Sequence, residues 1–235
     1  MALLSTEGFL FLLRWIHFLA GVTWIGLLYY FNFVQTPFFA ETEAGVRSGA
    51  VQKLVPRALW WFRWGAMVTF LSGWLIILIR GAELRGAFFT SNWGWAILLG
   101  GLLGSIMWAN VWFVIWPNQK IVIQNAIDTA AGRPANPAAA GAGARAGLAS
   151  RTNTMFSIPM LFFMGAASHL TRLPVPRWGA VFWIVALLIM AAPEYNALAG
   201  TPGKPTTKPL ATVSGTLWAG FILSLVYYVL FEVMR

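Results

Sequence analysis

Only two histidines occur in the chain, His17 and His169, and they stand in matching company. Arg14 lies three residues before His17 and Gly21 four after it; Gly165 lies four before His169 and Arg172 three after it. Positions three and four apart share a face of a helix. Each segment would therefore present an arginine, a histidine and a glycine on one stripe, in opposite order along the chain. On two antiparallel helices the stripes run in the same direction. Two neutral imidazoles can ligate one iron from opposite sides, glycines leave room for a flat macrocycle, and arginines pair with propionates. His17 and His169 are thus expected as the axial ligands of one b-type haem, with Arg14, Arg172, Gly21 and Gly165 as further contacts. Trp24, at i+7 from His17, offers an aromatic edge to the same cofactor. Met164 is an alternative thioether ligand, but at five residues before His169 it points to a different face. Against haem stand a copper or other metal site, and plain packing in which histidine hydrogen-bonds and glycine lets helices approach.

The absence of cysteine excludes disulfides, thiolate metal sites, iron–sulfur clusters and covalently attached haem. No P-loop, dinucleotide-binding, zinc-protease or serine-hydrolase motif offers a rival chemistry. Other polar residues in apolar surroundings are Asn110, read first as an interhelical hydrogen bond and second as a ligand contact, and the block Asn118-Gln119-Lys120. Asn32, Gln35, Glu194 and Asn196 fall toward one membrane face and read as interfacial caps.

The elements that must position these residues are membrane helices. Of the 235 residues, 59% are hydrophobic and 10% charged; soluble domains average roughly 45–50% apolar and about 25% charged. A bilayer core needs about 20 apolar residues per helix. Six runs approach that length, at 8–33, 59–79, 93–116, 152–170, 178–192 (with 198 as an outer limit) and 210–233. The fold class is therefore an all-α integral membrane protein, a bundle of about six transmembrane helices forming a single domain over 1–235. Residues 34–58 read as a polar loop. Within the connection 117–151, the Ala/Gly-rich stretch 132–150 reads as a flexible loop.

Net charge of +9 reads as topology rather than as nucleic-acid binding. With six spans, the side of the first, third and fifth loops carries ten Lys/Arg, counting Arg63 near the start of the second run, and the opposite side, with both termini, carries six. The positive-inside rule puts those loops in the cytoplasm and both termini outside, in what reads as a bacterial inner membrane. Both histidines then lie in the outer half of the bilayer, where ionisable groups are costly and by default functional.

Beyond these patterns, the residues resemble a known family, the N-terminal membrane domain of membrane-bound urate oxidase (urate hydroxylase). The segments that carry the likeness are Arg14-Trp15-Ile16-His17 through Gly26, Trp61-Phe62-Arg63-Trp64 with Leu71-Ser72-Gly73, Ala109-Asn110-Val111, Trp116-Pro117-Asn118-Gln119-Lys120, Ser157-Ile158-Pro159 to Ser168-His169, and Gly203-Lys204-Pro205. The resemblance implies a helical membrane domain that works with a cytochrome c domain to oxidise urate and pass electrons onward. It carries His17, Gly21, Trp24, Asn110, Asn118, Gln119, Lys120 and His169 as matching positions. No Cys-x-x-Cys-His occurs in this sequence, and Ser150-Arg151-Thr152-Asn153-Thr154 stands where the family tends to have Ser-x-His-Asn-Asn.

Three functions follow as expectations. The first is a b-type haem protein that transfers electrons, alone or within a larger redox complex. The second is a urate or purine oxidase subunit served by a separate cytochrome c. The third is a haem-free structural or assembly subunit of a membrane complex.

Overall fold

The computed structural model describes residues 2–235. Among these the regular structure is entirely helical, in six long segments. The first joins α1 (Thr6–Tyr29), a π-helical turn (Tyr30–Gln35) and α2 (Thr36–Glu41). The second is α3 (Ala44–Leu84). The third joins α4 (Asn92–Ala109), a second π turn (Asn110–Ile115) and α5 (Trp116–Ala130). Then come α6 (Ala139–His169), α7 (Gly179–Ala199) and α8 (Val213–Val233). All but α6 are long and apolar enough to cross a membrane.

Local chemistry accounts for the element ends. Ser5, Ser91 and Thr212 accept from the backbone N–H of Gly8, Gly94 and Gly215, capping α1, α4 and α8. Each π turn runs into a proline at the second position of the next helix, Pro37 or Pro117. Proline cannot donate to the carbonyl four residues back and its ring crowds that carbonyl, and a widened turn relieves both.

α6 is the hub, packed against α4, α5, α7 and α8, while α1 pairs mainly with α3. Ala142, Ala146, Ala149, Asn153, Phe156, Met160, Phe163 and Ala167 are all buried along it. Their spacing of three and four forms one continuous seam. Backbones touch closely where side chains vanish: a Cβ on Gly65 would stand 3.2 Å from the Trp24 amide, and one on Gly220 2.8 Å from the Met155 carbonyl. The outer surface carries Phe11, Trp15, Phe18, Val22, Leu78, Phe113, Leu188 and Trp218, all exposed, as a lipid-facing surface requires.

Two loop expectations are corrected. Residues 34–58 are not a polar loop, for the chain is helical except around residues 42–43. There, Arg47, Lys53 and Arg57 face outward while Val55 and Leu59 are buried. A window tuned to lipid-length apolar runs does not register a helix that continues past the membrane surface. Likewise 132–150 is not a flexible loop, because α6 begins at Ala139. Alanine is the best helix former, and here small side chains let α6 pack at the centre of the bundle. The fifth span reaches Ala199.

The ends of the segments sort into two groups. The Asn92 amide donates to the Leu170 and Thr171 carbonyls, and the Arg177 amide to Met234, so the starts of α4 and α7 and the ends of α6 and α8 lie together. Arg145 Nη1 donates to the Asn196 and Ala197 carbonyls at the opposite end. Thr171→Cys and Lys204→Cys, both at exposed positions in a cysteine-free chain, should therefore label with an impermeant thiol reagent from opposite faces of the membrane. The charge asymmetry predicts the cytoplasmic face for Lys204. Labelling of both from one face would show that α7 does not cross.

Candidate functional site: two cavities in the bundle

The larger cavity measures about 330 Å³ and lies where the first π turn faces α3, α5, α6 and the 201–211 connection. Phe31, Asn32, Gln35, Gln119, Ser150 and Arg151 line it. The π turn aims Asn32 across to α6, where its amide donates to Ser150 Oγ at 2.8 Å; the same amide donates to the Leu28 carbonyl of α1 at 2.8 Å. Gln35 Oε1 and Arg151 Nη1 are buried without a hydrogen-bond partner. Phe31 stands edge-on to Phe62, at 5.4 Å between ring centroids.

Charge is unbalanced here. Among the described residues the ion pairs are Arg80–Glu83, Arg133–Asp128 and Arg235–Glu232, none of them at the cavity. By contrast, the half-buried Arg63 lies over the Trp116 and Trp112 rings at 3.9 and 5.2 Å, which supply cation–π stabilisation. Arg151 has no such neighbour. A cavity of this size sits at the lower end of small-molecule sites, roughly 300–1,000 Å³. Its one positive charge, its amides and its aromatic wall suit a small planar anion with hydrogen-bonding edges.

A polar knot lies deeper in the bundle. Asn110 Nδ2 donates to Asn153 Oδ1 and Glu194 Oε2, each at 2.9 Å, and Asn153 Nδ2 donates to the Met107 carbonyl at 2.9 Å. Asn110 thus makes the interhelical bonds expected of it, tying α4, α6 and α7. Asn118 donates only to Val114 of its own segment, at 2.7 Å. Gln119 lines the larger cavity, and exposed Lys120 lies 5.7 Å from the Trp116 ring.

The second cavity is small, about 40 Å³, and is lined by His17, Trp24, Gly73, Ser105, Met160 and Met164 among others. His17 Nδ1 lies 3.2 Å from Ser72 Oγ. A Cβ on Gly73 would stand 2.9 Å from His17 Cε1, so this glycine makes room for the ring. Gly21 does not; a Cβ there would meet only Thr69 Cγ2 at 3.9 Å. Trp24 is 2% exposed and packs in the core.

His17 and His169 are not brought together around one site. His169 is exposed at the end of α6 and lines neither cavity. At 100° per residue it points about 140° away from Met164 and about 180° from Met160, the two residues of α6 that share the cavity with His17. Gly165 is exposed and open, Arg172 is exposed, and Arg14 is half-buried. Arg14, His17 and Gly21 do lie on α1, but α6 ends at His169 before Arg172 is reached, and the face of Gly165 and His169 is not turned toward His17. A bis-histidine haem therefore does not fit the residues present.

Sequence reasoning read Gln35 as an interfacial cap and gave Arg151 and Gly73 no part in a site. The seam of small residues at 142, 146 and 149 was the available signal for Arg151, since it marks a buried helix into which an arginine is built. Asn110→Leu should destabilise the protein by about 1–3 kcal/mol, because Glu194 and Asn153 lose their shared donor. Asn118→Ala, which removes one bond within a single segment, should cost less than about 1 kcal/mol. Thermal unfolding of both variants in detergent measures the contrast.

No curated protein and no solved structure matches the chain. Residues 86–196 match the family described as Urate oxidase N-terminal. This stretch runs from the turn before α4 into the last turns of α7 and includes Asn110, Gln119, Arg151, Asn153 and Glu194. His17, Asn32 and Gln35 lie outside it. The likeness of this membrane protein to the urate oxidase N-terminal family thus covers residues 86–196, a little under half of the chain.

Proposed function

We propose that the chain binds a planar purine anion, urate foremost, in the cavity lined by Arg151, as the membrane part of a urate-oxidising system. The observation that carries this reading is a guanidinium lining a cavity of about 330 Å³ with no carboxylate to neutralise it. Urate is a flat monoanion near neutral pH, with carbonyl oxygens and ring N–H groups around its edge. The guanidinium is a fixed fork of donors suited to such oxygens. Gln35, Gln119 and Asn32 each bring an amide with both donor and acceptor character, and Phe31 brings an aromatic surface. A guest lacking the edge groups leaves buried amides unpaired, which gives discrimination among purines. The family match over the segment that contains Gln119 and Arg151 points to the same substrate class.

The cavity lies at the end of the bundle that the charge count assigns to the cytoplasm, so a metabolite would reach it without crossing the bilayer. Oxidation of urate to its hydroxylated product consumes water and releases two electrons and two protons. An acceptor is therefore required, and a one-electron carrier of the cytochrome c class, reduced twice per urate, would fill that role.

Purified protein in detergent should bind urate. Arg151→Gln should weaken binding about tenfold to a hundredfold, the value of a charge-assisted hydrogen bond of roughly 1.5–3 kcal/mol. Arg151→Lys should fall between the two, keeping the charge and losing the fork. Urate consumption with added cytochrome c should decline in the same order. Unaltered urate affinity in Arg151→Gln, or no urate binding by the wild type, would contradict the proposal.

A further inference from the structure

We propose that His17, Met160 and Met164 hold a single soft metal ion, copper(I), in the small cavity between α1, α3, α4 and α6. This is independent of the urate site. The first ground is the tautomer of His17. Ser72 Oγ lies 2.6 Å from the Val68 carbonyl, so its proton is committed within α3. The 3.2 Å contact with His17 Nδ1 therefore has the imidazole as donor. That leaves Nε2 with its lone pair, the arrangement in which a second-shell acceptor orients a metal-binding histidine.

The second ground is the rest of the lining. Thr69 and Ser105 likewise commit their hydroxyl protons to their own helices, donating to the Gly65 and Gly101 carbonyls at 2.7 Å each. Ser105 also accepts from Trp74 Nε1 at 2.9 Å. Besides hydrocarbon and the unpartnered indole N–H of Trp24, which is a donor and no ligand, the wall offers a guest one imidazole nitrogen and two thioether sulfurs. Met160 and Met164 stand one turn apart on α6 and reach the cavity beside Gly100 and Gly104.

Thioether and imidazole donors without carboxylate select copper(I) over zinc, magnesium or calcium. No group of three or more His, Cys, Asp or Glu capable of holding a metal exists among the described residues, so harder ions find no rival site. About 40 Å³ accommodates an ion or one water and not a macrocycle.

The test is an anaerobic titration of the purified full-length protein with copper(I) against the chromophoric chelator bicinchoninate. One equivalent should be withdrawn from the chelator, and copper K-edge absorption should show mixed nitrogen and sulfur ligation. Met160→Leu/Met164→Leu, close in volume, should lower the affinity at least tenfold. Ser72→Ala, which removes only the acceptor for Nδ1–H, should lower it about 10- to 100-fold. Failure to withdraw copper would leave the cavity to water or nothing and overturn the proposal. So would equal retention by the double leucine variant. A Soret band in the purified protein that disappears in His17→Ala would also overturn it, by assigning His17 to a porphyrin.

Discussion

An arginine inside a membrane protein must be neutralised, solvated or given a guest, because hydrocarbon offers none of the hydration that the charge leaves behind. Three arginines in this bundle meet that requirement differently. Arg145 donates to the carbonyls at the end of α7, where the helix dipole favours a cation. Arg63 lies against two tryptophan rings. Arg151 has neither, and its environment is a cavity edged with amides. The cavity depends on that unresolved charge, and so does the proposed chemistry.

The fold around it follows from prolines and small residues. Pro37 and Pro117 each end a π turn. Such turns recur at functional sites because they rotate the side chains that follow relative to those before. One carries Asn32 and Gln35 to the cavity; the other begins with Asn110 and supports the polar knot with Asn153 and Glu194. Alanines along α6 bring its backbone to the centre of the bundle, which places Arg151 inside rather than on a surface loop. The same helix presents Met160 and Met164 toward His17, so α6 serves both cavities from different levels.

Much of this was legible in the residues. Apolar runs located the membrane helices, and the Pro-Asn-Gln-Lys and Ala-Asn-Val segments lie within the stretch that is similar to the urate oxidase N-terminal family. Asn110 declared itself as an interhelical hydrogen bond. What hydropathy could not convey was where helices continue past the membrane, as α3 does from Ala44, or where alanine-rich sequence is helix rather than linker, as from Ala139. The histidines show a deeper limit. The residues at 14, 17 and 21 and at 165, 169 and 172 have helical spacing in the sequence, yet periodicity says nothing about where a helix ends or which neighbour a face meets. That is decided by packing: Gly73 opens α3 to the imidazole of His17, while the buried seam of α6 turns His169 outward.

A density map of the wild-type protein with saturating urate, obtained by electron cryomicroscopy in a lipid nanodisc, tests the central claim most directly. The account predicts one flat density in the cavity between the first π turn and α6, with an edge within hydrogen-bond distance of the Arg151 guanidinium. Urate density elsewhere on the protein, with that cavity unchanged from the urate-free map, would contradict it.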